Sequence, residues 1–218
     1  MPPAIAEDGA HKTYGGPTER KVASVYNTNP VDLVHDKTKS CTLKADIVVV
    51  LDESGSVGEA NFWTVKHGVE KLYKDFNASG SGEDLRMGLV KFSSDALVET
   101  ELTSDFNTLV SDVEKTPYGQ GGTFTREGYN EAKKLLDNGS RGADYRKIIV
   151  FITDGKTSNG IKPDKTFSDT FHDDKVEIIT VGIKGYAKDE LLIMSRLEDN
   201  IITLTDFDQM DGITDKIF

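Results

Sequence analysis

The sequence predicts an α/β fold of three layers: a doubly wound, mostly parallel central sheet with one antiparallel edge strand and helices on both faces. Three observations carry that expectation. From Ala45 onward, short apolar runs alternate with amphipathic stretches of helical period. The main runs are β-branched and nearly continuous, the pattern of strands buried on both faces. Two of them end alike, Ile47–Leu51 in Asp52 and Ile148–Thr153 in Asp154-Gly155. In open parallel sheets, binding crevices lie just beyond such carboxyl ends, where strand order reverses.

The elements follow in order. Residues 46–52 read as a strand buried on both faces. Phe62, Val65, Val69, Leu72 and Phe76 recur at steps of three and four, one stripe of a helix of about four turns. Leu85–Phe92 and Ala96–Leu102 read as strands close enough for a hairpin. Thr123–Asn138 returns to helix, with Tyr129, Ala132, Leu135 and Leu136 on one side. Then come a strand at Lys147–Thr153, a strand at Val176–Gly182, a helix at Asp189–Leu197 and a strand at Ile201–Thr205. The close, Asp206–Phe218, carries Phe207, Met210, Ile213 and Ile217 at helical spacing. Residues 1–40 hold four of the six prolines and no apolar period, and read as a flexible or extended flank before one domain at 41–218.

Composition narrows the function. The chain has 218 residues, 37% hydrophobic and 29% charged, enough to bury a sizeable core. Its longest apolar runs have five residues, whereas a membrane-spanning helix needs roughly 20. No charged-then-apolar leader opens it. With 37 Asp and Glu against 26 Lys and Arg, the net charge is −11. Counterion release rewards cationic surfaces, so neither nucleic acid nor an anionic membrane is the expected partner. One cysteine excludes an internal disulfide and a multi-thiolate zinc site, and the four histidines show no metal spacing.

The chemistry gathers at the strand ends. Asp52-Glu53-Ser54-Gly55-Ser56 follows the first strand; alternation puts Asp52, Ser54 and Ser56 on one side, and Gly55 permits a tight turn. Gly121-Gly122-Thr123 presents another hydroxyl at the start of a helix, and Asp154 arrives from the central strand. Three hydroxyls and two carboxylates, without nitrogen or sulfur, suit a hard cation: Mg²⁺ first, with Mn²⁺ or Ca²⁺ as alternatives. Mg²⁺ takes six oxygens, and three neutral hydroxyls fill half of that shell. If Asp52 and Asp154 act through bound waters, the cation stays electrophilic enough to accept an outside carboxylate.

These motifs, with the Ile152-Thr153-Asp154-Gly155 strand end, resemble a von Willebrand factor type A domain with a metal-ion-dependent adhesion site. The resemblance runs from about Asp46 to Phe218 and takes in Val181-Gly182-Ile183 and Phe207-Asp208; its wording is closest to extracellular matrix and adhesin members. It implies that Ser54, Ser56 and Thr123 are the hydroxyl ligands, with Asp52 and Asp154 bound directly or through water. It also implies a secreted or cell-surface location, and a role in cell adhesion or the extracellular matrix. The partner would be a protein presenting Asp or Glu, collagen among the candidates. By the same analogy, affinity switches as the last helix slides. Many extracellular members pair a cysteine before the first strand with one after the last helix, so Cys41 reads as half of such a pair in a fragment.

Around the site, Glu53, Gly122, Phe124 and Lys156 are the expected ligand rim, with Lys162 nearby. Glu53, at the alternate position, should point towards the rim or solvent. His67 reads as surface and His172 as part of a solvated acidic turn with Asp173 and Asp174. Arg141, Arg146 and Lys147 read as a solubilising patch at a strand entry. The Asn77-Ala78-Ser79 and Asn138-Gly139-Ser140 sequons permit glycosylation without showing it. The leading expectation is a non-enzymatic, cation-dependent binding module. One alternative is a structural matrix domain that assembles independently of the metal. Another is a phosphotransferase or phosphatase using Asp52 as nucleophile, which would want an acid where Ser54 stands. A phosphate-binding Gly-Lys-Ser/Thr sequence does not follow Gly55.

Overall fold

The computed structural model describes residues 43–78, 82–139, 141–158 and 160–217. Cys41, the flank at 1–40 and the serines of both sequons lie outside them.

The chain runs β1 (Ala45–Asp52), α1 (Glu59–Ala78), β2 (Leu85–Phe92), β3 (Ala96–Thr103), α2 (Phe106–Lys115), α3 (Thr125–Asn138), β4 (Arg146–Thr153), α4 (Lys165–Asp173), β5 (Val176–Ile183), α5 (Lys188–Ser195), β6 (Ile201–Leu204) and α6 (Thr214–Ile217). Six strands form one sheet in the order β3-β2-β1-β4-β5-β6. Only the β2–β3 pairing is antiparallel. Strand order reverses beside β1, which pairs with β2 on one side and β4 on the other. The crevice between the ends of β1 and β4 is therefore the switch point of the sheet.

Alternation along β1 divides the core. Ile47, Val49 and Leu51 pack with α1, α2 and the closing segment, whereas Val48 and Val50 pack with α3 and α4. All five are fully buried, which accounts for the unbroken apolar run: both faces of the strand are covered.

Two helices escape the stripe count used above. In α2, Phe106, Leu109 and Val113 are buried behind Asp105, whose carboxylate caps the N–H groups of Asn107 and Thr108. In α4, Asp164 caps Phe167, and Phe171 is buried one turn later. Each is short, and its signal is a capping aspartate followed by two or three apolar residues.

The closing segment also differs from the continuous helix expected. It is a 3₁₀ turn at Phe207–Gly212 followed by the single-turn α6. Phe207, Met210 and Ile213 lie three apart, the period of a 3₁₀ helix, and only the step to Ile217 is four. All four are buried as expected. The tight winding brings Met210 hard against α1, where Gly68 leaves room: a Cβ there would lie 2.7 Å from Met210 Cβ and 2.9 Å from its carbonyl oxygen.

His67 is exposed, as its place on the polar flank implies. His172 is not in a solvated turn: it is half-buried, its Nε2 2.9 Å from the Met194 carbonyl oxygen. The strand-entry cations are likewise committed. Arg141 pairs with the buried Asp46 at 2.7 Å, Arg146 with Glu177, and Lys147 with Asp137 at 3.2 Å.

Candidate metal centre

Asp52 closes β1 with its side chain buried, and its two oxygens are held differently. Oδ1 accepts the Ser54 N–H at 2.8 Å, which folds the chain into the turn after the strand. Oδ2 accepts the Thr153 hydroxyl at 2.5 Å from the adjacent strand β4. Thr153 in turn accepts the Gly155 N–H at 3.2 Å, so one hydroxyl ties Asp52 to the backbone just past Asp154. In the sequence Thr153 stands as part of a strand end, and its hydroxyl is the one local signal of this role.

The remaining residues converge on the same crevice. Ser54 Oγ and Ser56 Oγ are 3.0 Å apart, and Ser56 donates to Asp154 Oδ1 at 2.9 Å. A Cβ placed on Gly155 would lie 3.5 Å from Ser56 Oγ and 3.8 Å from Thr123 Oγ1, so both hydroxyls border that glycine. Thr123 is held by a reciprocal pair: its N–H donates to Ser158 Oγ at 2.8 Å, and its carbonyl accepts the Ser158 N–H at 3.0 Å. The loop before it needs its glycine. Gly121 has φ +145°, a Cβ there would meet Ser93 Oγ at 2.9 Å, and its carbonyl accepts the Gly55 N–H at 3.0 Å. The five residues singled out from the sequence thus share one crevice at the switch point.

Burial pushes the Asp52 carboxyl up to about 6, against the hydrogen bonds from Ser54 and Thr153, and the neighbouring Asp154 charge adds to the rise. Asp154 is also raised, by burial first, with the Ser56 hydrogen bond opposing. Two carboxylates near one another, with no Lys or Arg hydrogen-bonded to either among the described residues, fit a divalent cation that would reverse both shifts. The donor set points the same way. Among the described residues no group of three or more His, Cys, Asp or Glu could hold a metal ion. A cation in this crevice would have to use the hydroxyls, an oxygen donor set that favours hard ions.

The rim needs one correction. Glu53 is buried, 4% exposed, and does not reach the rim. Its Oε2 accepts the Gly119 N–H at 2.7 Å and lies 3.4 Å from Lys91 Nζ, because the carboxylate turns inward under the 117–122 loop. Gly122 and Phe124 are half-buried and Lys156 is exposed. Lys162 is drawn aside to Glu190, 3.1 Å away. Glu190, which carries no local sequence signal, is buried and takes the N–H and hydroxyl of Thr157 at 2.9 and 2.6 Å, anchoring the loop that follows Asp154.

Residues 46–216 of this chain match a family model, the von Willebrand factor type A domain. The chain belongs to that family. Vitrin of Mus musculus is 29% identical over 185 residues, covering 83% of this chain and 27% of its own length. The collagen alpha-1(XII) chain of Notophthalmus viridescens is 28% identical over 189 residues, 81% of this chain and 19% of that one. Cochlin of Bos taurus is 26% identical over 161 residues, 72% of this chain and 28% of its own. The chain therefore spans less than a third of each of these relatives. Among solved structures, proximal thread matrix protein 1 of the mussel byssus superposes with a TM-score of 0.71 at 24% identity, over 81% of this chain and 48% of that one. Another structure of the same mussel protein, at 22% identity, has a zinc-occupied MIDAS motif. A pilus adhesin of Lactobacillus rhamnosus GG reaches a TM-score of 0.65 at 18% identity, over 80% of this chain and 31% of its own.

Proposed function

We propose that this domain is a non-enzymatic binding module of the extracellular matrix or cell surface, which uses a divalent cation to hold an acidic side chain of a protein partner. One observation carries the reading: three hydroxyls and only two carboxylates meet at the switch point of the sheet. In this reading Ser54, Ser56 and Thr123 hold the cation, Asp52 and Asp154 balance it directly or through water, and residues 41–218 form the module behind a separate flank at 1–40. When bound, the cation supplies a Lewis-acidic coordination position for a partner's carboxylate. The chain's part is to orient its donors. Thr153 fixes the Asp52 carboxylate, Ser56 links Asp154 to Ser54, and Ser158 holds the Thr123 backbone. Matrix relatives such as vitrin, cochlin and the collagens support an extracellular setting and a protein partner.

Mg²⁺ is the leading cation. The zinc in the mussel protein's motif makes Zn²⁺ a necessary comparison, with Mn²⁺ and Ca²⁺. The test is thermal unfolding of the full chain in each cation and in EDTA. A cation at a hundredfold its Kd adds about 2.7 kcal/mol of stability, roughly 5–10 °C in Tm for a domain of this size. Thr123→Ala and Ser54→Ala should abolish that rise. A pull-down from extracellular material with and without Mg²⁺ then tests the partner; capture that survives EDTA would return the reading to a metal-independent structural domain.

A further inference from the structure

We propose that Lys156 and Lys184 form a second anion-recognising element beside the cation crevice, so that the favoured partner segment carries additional acidic residues around its metal-seeking carboxylate, with an apolar side chain next to them. This deepens the cation-dependent reading above and rests on it.

Both lysines flank Asp154. Lys156 follows it by two residues and is exposed. Lys184 comes from the neighbouring strand end. Its N–H donates to the Leu204 carbonyl at 2.9 Å, its φ is 56°, and its side chain is exposed where the chain turns out of β5. The next residue lies against the site, since a Cβ on Gly185 would be 3.3 Å from the Asp154 carbonyl oxygen.

What sets these two apart is that nothing occupies them. The other cations of this rim are spoken for: Arg126 pairs with Asp164 at 2.5 Å and Lys162 with Glu190 at 3.1 Å. Among the described residues, neither Lys156 nor Lys184 enters an ion pair, although the chain carries 37 acids against 26 bases. Two unneutralised ammonium groups on an acidic protein, both beside the crevice, make a local positive rim. Charges at such a rim act within a Debye length of about 8 Å, and set partner choice and association rate more than total affinity.

The apolar part of the rim is adjacent. Ile161 is 72% exposed. It follows Gly160, where a Cβ would lie 3.2 Å from the Phe124 ring, and precedes Lys162, whose carbonyl accepts Arg126 Nε at 2.9 Å. The exposed isoleucine is therefore held beside the residues that follow Thr123.

The probe is a labelled heptapeptide with one central Glu, two flanking Asp and one Leu, compared with the same peptide carrying Asn in place of Asp. Binding to the full chain is read by fluorescence anisotropy in Mg²⁺ over a series of salt concentrations, with a thermal melt of the same samples. The Asp peptide should bind about fivefold more tightly than the Asn peptide at low salt. The preference should shrink as salt rises and fall to about one in the folded Lys156→Gln/Lys184→Gln double variant. If Mg²⁺ raises Tm but the two peptides bind alike, or neither binds, or the double variant keeps the preference, this proposal fails alone. If Mg²⁺ leaves Tm unchanged, the cation reading fails and carries this proposal with it.

Discussion

Glu53 and Lys91 lie 3.4 Å apart with side chains only 6% and 7% exposed, so an ion pair is buried one residue away from a proposed cation ligand. Lys91 also reaches Glu99 at 3.3 Å and the Pro117 carbonyl at 3.2 Å, while Glu53 takes the Gly119 N–H. The pair clamps the turn after β1 to the loop that leads to Thr123.

Removing Lys91 strands the Glu53 carboxylate in a dry place, whereas removing the Glu53 charge leaves Lys91 with Glu99 and the Pro117 carbonyl. Lys91→Met should cost about 3 kcal/mol or more, and Glu53→Gln less, because Glu99 still faces Lys91. The double variant Glu53→Gln/Lys91→Met should cost clearly less than the sum. Urea unfolding of all four proteins gives the coupling energy; strict additivity would show that the pair contributes no mutual stabilisation.

Thr153→Val keeps the shape of a buried side chain and deletes the hydroxyl between Asp52 and Gly155. Losing an outer partner of a ligand typically weakens metal affinity by about 10–100-fold. Cation titration followed by Tm should therefore need at least about tenfold more Mg²⁺ for the same rise. An unchanged titration would remove Thr153 from the site.

At Gly68 the missing side chain is what lets the closing segment dock. Gly68→Ala should destabilise by about 1–3 kcal/mol, with proteolysis appearing first around residues 207–217. Cleavage elsewhere at the same denaturant concentration would show that the segment is not the part released.

His172 gives a pH dependence away from the crevice. Burial, the largest cause, holds its pKa below the ordinary 6.5, with the Arg196 charge adding; the contact with the Met194 carbonyl and the Asp169 and Asp173 charges oppose. The unfolded chain therefore binds the proton first. The contribution of neutral His172 is fully present above pH 6.5 and is lost as pH falls towards the lowered folded value. Relative to His172→Gln, the protein should lose stability over that window, measured by urea unfolding at each pH. A constant difference would mean that folding leaves the pKa unmoved.

The parts of the molecule that could be read from the chain alone are those where a residue's role is set by near neighbours. Ile47–Leu51 announces a strand covered on both sides, and Asp52, Ser54 and Ser56 share a side because alternation makes them do so. Glu53 shows the limit. Alternation does turn it away from those three, but whether that direction meets water depends on Lys91 of β2 and Gly119 of a distant loop. Only strand pairing brings them there. The closing segment differs in another way, because the three-residue steps from Phe207 to Ile213 fit a 3₁₀ turn and the edge of a wider helical stripe alike. Glu190 gave no local sign, since its value lies in a Thr157 far away in the chain.

The hydrogen bond from Thr153 to Asp52 spans 101 residues of chain, and that from Ser56 to Asp154 spans 98. Contacts of such separation carry a large loop-closure cost and wait for most of the sheet to assemble. During synthesis, the D-x-S-x-S turn is made long before Asp154 exists to complete the crevice. A cation therefore has little to grip on a growing or unfolded chain and cannot serve as a nucleus for folding. In the reading proposed above, the ion would seal a finished domain, slowing its unfolding while leaving the rate of its formation nearly untouched.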